Sequence, residues 1–316
     1  MKRLTKSIVK GLTTWIPGTE RMFCSSSGGT VSARYCYAVW LRHIQYVARF
    51  KNIQSIQTLG ELGPGDSFGT GLAALLCGVD QYHAFDAKPH ADVAVNIRIL
   101  NELVQLFRDR APVPDASEFP HMSPSLEDYA FPTAIISASL LKETLREKRI
   151  EEIREDIKRI YSRNPNKRIV YHAPWRGCDM PQGHFDMFLS QAALEHVSDV
   201  NETYRNLNAG LKVDGIMSHA VDYKSHGITE EWFGHWEMPN WLWRVVHGRR
   251  PYLINRMPHS YHVSALSQAR FKVLTVRDKR GTSAVRSRLS SRFSEISNDD
   301  LTCTGAFIIA EPAGRK

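Results

Sequence analysis

Three groups of residues in this 316-residue chain could do chemistry. The first is the glycine pair Gly63 and Gly65, within Thr58-Leu-Gly-Glu-Leu-Gly-Pro-Gly-Asp66. Without Cβ atoms they permit a tight turn at positive φ and let a small molecule approach the backbone closely. The second is Asp86, closing the run Tyr82-His-Ala-Phe-Asp86 about twenty residues further on, where a βαβ unit offers an acceptor to a ribose diol. The third is drawn from the thirteen histidines: His196, His219 and His226, with Asp222 between the last two. A group that titrates near pH ~6.5 suits removal of a proton from a hydroxyl, which makes His196 and His226 candidate bases. His219, Asp222 and His226 also form a possible ligand set. Magnesium prefers carboxylate and water to imidazole, however, so the expectation is no metal.

The glycine spacing separates two kinds of ligand. A dinucleotide fingerprint places a third glycine three residues after the second, for close helix packing beside a pyrophosphate. Phe68 stands there instead. A ligand with a ribose and an amino-acid tail, but no pyrophosphate, does not need that glycine.

These residues need elements to hold them. Ile56 and Leu59 to Leu62 read as a strand, Leu72 to Cys77 as the following helix, and Tyr82 to Asp86 as a second strand. Val93, Ile97, Leu100, Leu103, Val104 and Phe107 recur at helical period and predict the next helix. Residues 111–165 read as an insertion: a Pro- and Ser-rich loop or lid, then a charged helix from about Leu140 to Tyr161 with Ile150, Ile153, Ile157 and Ile160 on one face. Arg168 to His172, Phe185 to Ser190 and Gly215 to Val221 are strands three to five. A helix begins near Ser198, and Phe271 to Val276 with Gly305 to Ala310 close the sheet as a strand pair. Residues 1–50 read as an N-terminal helical cap, and 51–316 as one domain with insertions at about 111–165 and 223–265.

Glu61-Leu-Gly63-Pro-Gly65 resembles motif I of the class I S-adenosylmethionine-dependent methyltransferases, and Asp86 matches that family's acidic residue after the second strand. Phe185-Asp-Met-Phe-Leu-Ser-Gln-Ala-Ala-Leu-Glu-His-Val197 is similar to the fourth-strand motif of many small-molecule members. The resemblance spans roughly residues 55–310. It implies an α/β fold, a Rossmann-like seven-stranded and mostly parallel sheet with flanking helices. It also implies S-adenosyl-L-methionine as cofactor, held by Glu61, Gly63, Gly65 and Asp86, with Ala173 and Gln191 at the ends of strands three and four. The family often has an acidic residue after strand three. Here His172-Ala-Pro-Trp175 stands in that place, which leaves adenine contacts to the backbone.

Residues 229–262 are aromatic and basic, and they lie where the family builds its acceptor pocket. Indole faces stack on sugar rings and guanidinium groups clamp phosphates, so Trp236 and Arg250 join His219 and Asp222 as candidate acceptor contacts. Packing under a long insertion is the other reading of the same aromatics. Together these features point to O-methylation of a sugar, glycan or other small-molecule hydroxyl. An N-methyltransferase or RNA methyltransferase, or a cofactor-binding protein without turnover, are the alternatives. Ser190-Gln-Ala-Ala does not match the Asn/Asp-Pro-Pro-aromatic motif of the nitrogen enzymes.

The formal net charge is +8, but the basic residues fall in scattered clusters and not in a stripe interleaved with aromatics, which argues against a nucleic-acid partner. Five cysteines without a CxxC pair read as reduced thiols in a cytoplasmic protein. No apolar run approaches the about 18 residues of a membrane span. The basic, weakly amphipathic start Met1-Lys-Arg-Leu-Thr-Lys-Ser-Ile-Val-Lys10 reads as a solvated terminal helix, with peripheral contact to an anionic membrane as the second reading.

Overall fold

The computed structural model describes residues 2–16, 30–162, 168–177, 180–250 and 252–314. Strands β1 (Thr58–Leu62), β2 (Gln81–Phe85) and β4 (Phe185–Gln191) are nearly all buried along their length. That is how strands read when helices cover both faces of a parallel sheet. With β3 (Ile169–His172), β5 (Leu211–Asp222), β6 (Phe271–Arg280) and β7 (Cys303–Pro312) they form one seven-stranded sheet in the order β3-β2-β1-β4-β5-β7-β6. Strands β1 to β5 pair in parallel, and β7 runs antiparallel to both β5 and β6. The chain builds outward from β1 in one direction and then returns to add β4 on its other side. This switch of direction opens a crevice at the carboxyl ends of β1 and β4, where open α/β sheets bind ligands.

The helices are α1 (Lys2–Thr13), α2 (Ala33–Val47), α3 (Gly69–Leu76), α4 (Val93–Arg108), α5 (Ala138–Thr144), α6 (Glu147–Lys158), α7 (Val200–Gly210), α8 (Gly234–Glu237), α9 (Asn240–His247) and α10 (His259–Gln268). Side-chain caps start several of them: Ser32 accepts from Tyr35 N–H, Asp92 from Val95 N–H and Asp199 from Glu202 N–H. One face of the sheet packs against α2, α3, α4 and α6 through Tyr37, Trp40, Leu72, Leu103 and Ile153. The other packs against α7 and α10 through Tyr204, Leu207 and Leu266.

Several elements differ from the sequence reading. The single charged helix expected over 140–161 is two, broken at Arg146, whose ψ of 140° leaves the helical region. Strand β5 starts four residues early at Leu211 because a register shift near Met187 lets it pair from its first residue. The expected N-terminal cap is partly core, since Tyr37, Trp40, Leu41 and Ile44 of α2 are fully buried against the sheet. Helix α1 is docked rather than simply solvated: Gly11 is buried so closely on α9 that a Cβ would lie 2.0 Å from the Val245 carbonyl oxygen. Cys36, Cys77 and Cys303 are free and buried, while Cys24 and Cys178 lie outside the described residues.

Candidate functional site

The turn after β1 and the segment after β4 face each other across the crevice. Gly63 has φ of 69° and Gly65 of 75°, both in the region that glycine adopts without strain. A Cβ on Gly63 would lie 2.7 Å from Ala193 Cβ, so a side chain there would close the gap between the two strand ends. Gly63 N–H donates to the Phe85 carbonyl at 2.9 Å, which ties the turn to the end of β2.

Asp86 follows directly and is 9% exposed. Its backbone N–H donates to His172 O and its carbonyl accepts from Trp175 N–H, both at 2.9 Å, so β3 fixes its position. Oδ1 accepts the N–H of Ala87 at 2.6 Å and of Lys88 at 3.4 Å. Oδ2 is buried without a hydrogen-bond partner. Burial pushes the carboxyl upward from its ordinary pKa, and the N–H groups of Ala87 and Lys88 hold it down in part. An orphaned, buried carboxylate oxygen beside a glycine turn fits a hydroxyl-bearing ligand, since leaving such an atom unpaired costs about 1–3 kcal/mol.

Glu61 lies beneath the turn, 3% exposed, and its Oε2 accepts from the Tyr82 hydroxyl at 2.6 Å. Burial raises its pKa to about 7, against the hydrogen bonds of Tyr82 and Thr70. Its carboxyl group thus meets Thr70 and Gly71 at the start of α3. Ala173 is half-buried at the end of β3, where His172 stacks on Phe85 with ring centroids 4.5 Å apart.

Past β4 the chain makes the 3₁₀ turn Leu194–His196, entered through Ala192 at φ 53°. Asn255, from the long insertion, pins this turn: its N–H donates to Glu195 O at 2.7 Å and its Nδ2 to Leu194 O at 2.8 Å. Glu195 is 3% exposed, and neither carboxylate oxygen has a hydrogen-bond partner. Burial therefore drives its pKa well up, and the nearby Asp222 carboxylate adds to the rise. His196 Nδ1 lies 2.8 Å from the Tyr252 carbonyl, and burial lowers its pKa to about 4. His226 stands across from it, ring centroids 5.1 Å apart, with Nε2 3.8 Å from both Glu195 Oε1 and Asp222 Oδ2. Burial lowers the His226 pKa and the Asp222 carboxylate partly restores it.

Beside this cluster is a cavity of about 310 Å³, lined in part by Tyr35, His121, Gln191, Asp222, Lys224 and Lys279. The loop Glu118–Ser123 forms one wall, so part of the segment expected as a lid borders the site. Gln191 is anchored here, its Oε1 3.1 Å from His43 Nε2 and its Nε2 donating to Ser123 O at 3.3 Å.

The structure brings Asp222 and His226 together with His196 and leaves the other expected acceptor contacts elsewhere. Trp236 is fully buried, its Nε1–H donating to Arg256 O at 2.9 Å and its ring packed near Phe293. It is core beneath the insertion and cannot stack on an acceptor. Arg250 is turned onto the end of α9, donating to the carbonyls of Val246 and His247. His219 is fully buried and bonded to Ser190 Oγ at 2.7 Å. The group that sequence reasoning missed is Glu195. It lay within the quoted Leu-Glu-His motif, where only the histidine was read as reactive.

No family model and no curated protein matches the chain. Among solved structures it is similar to an S-adenosylmethionine-dependent methyltransferase from Methanosarcina mazei, with 11% identity and a TM-score of 0.43 over 85% of this chain and 98% of that one. It is also similar to an S-adenosylmethionine-dependent methyltransferase from Mesorhizobium loti, with 14% identity and a TM-score of 0.39 over 89% and 98%. The strand order, the antiparallel β7, the glycine turn after β1 and the carboxylate after β2 give this chain the fold of the class I S-adenosylmethionine-dependent methyltransferases.

Proposed function

We propose that this chain is an S-adenosylmethionine-dependent methyltransferase whose acceptor is a hydroxyl of a sugar, glycan or other small molecule. The observation that carries the reading is Asp86 Oδ2, buried and unpaired at the switch-point crevice opposite Gly63 and Gly65. Asp86 would hold the ribose diol, and the turn over Glu61 the amino-acid tail. Gln191 and the backbone at Ala173 border the same crevice. The cofactor supplies a methyl group on a sulfonium, already activated for displacement. The chain's own task is then chiefly alignment of acceptor and methyl carbon.

A hydroxyl acceptor must also lose its proton. As its oxygen bonds to carbon, the carbon–sulfur bond breaks with its electron pair left on sulfur, and the proton departs to the cluster of Glu195, His196, Asp222 and His226. That cluster adjoins, through Asp222, a cavity whose wall also carries Gln191, Lys224 and Lys279, side chains able to bond hydroxyl groups. Calorimetry with S-adenosylmethionine tests the cofactor half, with Gly65→Val as the variant that should not bind. Transfer of labelled methyl to pooled glycans, nucleotide sugars and RNA tests the acceptor class.

A peripheral membrane contact is a second reading, favoured by one observation. Helix α1 and the residues after it expose Val9, Leu12, Trp15 and Ile16, each more than half accessible, alongside Lys2, Arg3 and Lys6. An apolar strip bordered by cations suits an anionic bilayer surface.

A further inference from the structure

Glu195, His196 and His226 each bring one ligand atom to a common point, the three atoms lying within 4.8 Å of one another. We propose that these side chains form a binding site for a divalent transition-metal ion, with Asp222 as an adjoining carboxylate. This goes beyond methyl transfer and departs from the expectation that no metal is involved.

Glu195 carries the argument. A carboxyl group only 3% exposed normally meets a cation or hydrogen-bonding partners, because burying polar atoms without them is costly. Here both oxygens lack a hydrogen-bond partner, and His226 Nε2 stands 3.8 Å from Oε1. That separation is too long for a hydrogen bond, yet an ion bound between the two would be within reach of both after small shifts.

The imidazoles are presented as ligands usually are. His196 Nδ1 is 2.8 Å from the backbone carbonyl of Tyr252 and so carries the proton, which leaves the Nε2 lone pair available. Metal-bound histidines commonly donate their other ring N–H in this way, which fixes tautomer and ring orientation. His226 reaches the site from a tight turn, at φ 48° beside Gly227 at φ 73°. Two elements distant in sequence therefore converge, and Asn255 locks the one that carries Glu195 and His196.

The donor set selects the metal class. Two imidazoles with one or two carboxylates suit zinc, cobalt, iron or nickel, whereas calcium and magnesium favour oxygen ligands. Among the described residues three ligands converge, which leaves a coordination position for water or an acceptor hydroxyl. An ion there lowers the pKa of a bound hydroxyl, so the histidines would act as ligands and the ion would promote proton loss. That last role rests on the proposed methyl transfer, but metal binding does not.

The test is titration of chelator-stripped, full-length protein with cobalt(II), followed by its visible absorption bands. One cobalt per chain with the intense bands of a four- or five-coordinate site, displaced by zinc, is the expected result. Glu195→Gln and His226→Ala should each weaken cobalt binding by about 100-fold or more, with circular dichroism and S-adenosylmethionine affinity unchanged. His226 is partly exposed, so its variant tests the site even if the buried Glu195 variant misfolds. Wild type giving only the pale spectrum of hydrated cobalt, or a folded His226→Ala protein binding as tightly as wild type, would overturn the proposal. Failure of S-adenosylmethionine to bind in the same samples would count against the methyltransferase reading and leave the metal result standing.

Discussion

Asp86 gives one carboxylate oxygen to the N–H of Ala87 at 2.6 Å and leaves the other buried and unpaired. The bound oxygen fixes the side chain, and the unpaired one is set for a ligand. Asp86→Ala should weaken S-adenosylmethionine binding by about 1.5–3 kcal/mol, the scale of a hydrogen bond to a charged group. The apo protein should lose little stability, because the substitution also removes a buried orphan. Calorimetry and thermal denaturation separate the two effects, and unchanged affinity would place the ribose elsewhere.

Glu61 makes folding and cofactor binding sensitive to pH. Its folded pKa of about 7 stands above the ordinary 4.5 because burial disfavours the charged form. The stability it contributes is therefore fully present below pH 4.5 and is lost as pH rises through about 7. A cofactor ammonium group nearby would reverse that bias by favouring the carboxylate, so binding in this window should release a proton. Titrations in buffers of different ionisation enthalpy measure the release, and Glu61→Gln should abolish it. Equal proton release in the variant would show that another group titrates.

Much of this was legible in the sequence, for physical reasons that differ between sites. The sheet showed itself because strands buried on both faces read as continuous apolar runs, as in Phe185 to Ser190. Gly63 showed itself because a turn at positive φ demands glycine, and Asp86 because a carboxylate closing an apolar strand stands out. The acceptor side was harder. Trp236 has the same chemistry whether it stacks on a sugar or fills a core, and only the packing beneath the insertion decides. The partnership of Glu195 with His226 joins residues 31 positions apart, through a turn at positive φ that no local pattern announces.

Trp236, expected as an acceptor contact, carries a stability prediction. Fully buried and hydrogen-bonded to Arg256 O, it should cost about 3–5 kcal/mol when replaced by alanine. Arg250→Ala, half-buried just past the end of α9, should cost less than Trp236→Ala and leave acceptor KM unchanged. Chemical denaturation of both variants checks the first claim. A Trp236→Ala protein of wild-type stability with raised acceptor KM would return the residue to the acceptor site.

The exposed strip on α1 predicts binding to anionic vesicles that weakens with salt, because the cations steer and the apolar residues insert. Replacing Leu12 and Ile16 together with serine should abolish sedimentation with phosphatidylglycerol vesicles. Gly11, which seats the helix on α9, is untouched by that change. Equal binding of the double variant would mean that charge alone attracts the protein.

The cluster after β4 makes the sharpest claim about the reaction. If the acceptor is a hydroxyl, its proton must leave as the new bond forms, whether to an imidazole directly or through an ion held by Glu195, His196 and His226. His226→Ala and Glu195→Gln should then each lower kcat by about 10²- to 10⁴-fold, the range expected of proton-transfer catalysis. Cofactor affinity should stay within a few-fold, because Asp86 and the glycine turn lie on the other side of the crevice. Chelator treatment divides the two routes. Loss of activity that added zinc or cobalt restores points to the ion, while activity indifferent to chelation but lost in His226→Ala points to the imidazole. An amine acceptor would behave in neither way, since it can shed its proton to solvent before binding or after transfer. Wild-type kcat in both variants would thus remove the hydroxyl reading together with the base.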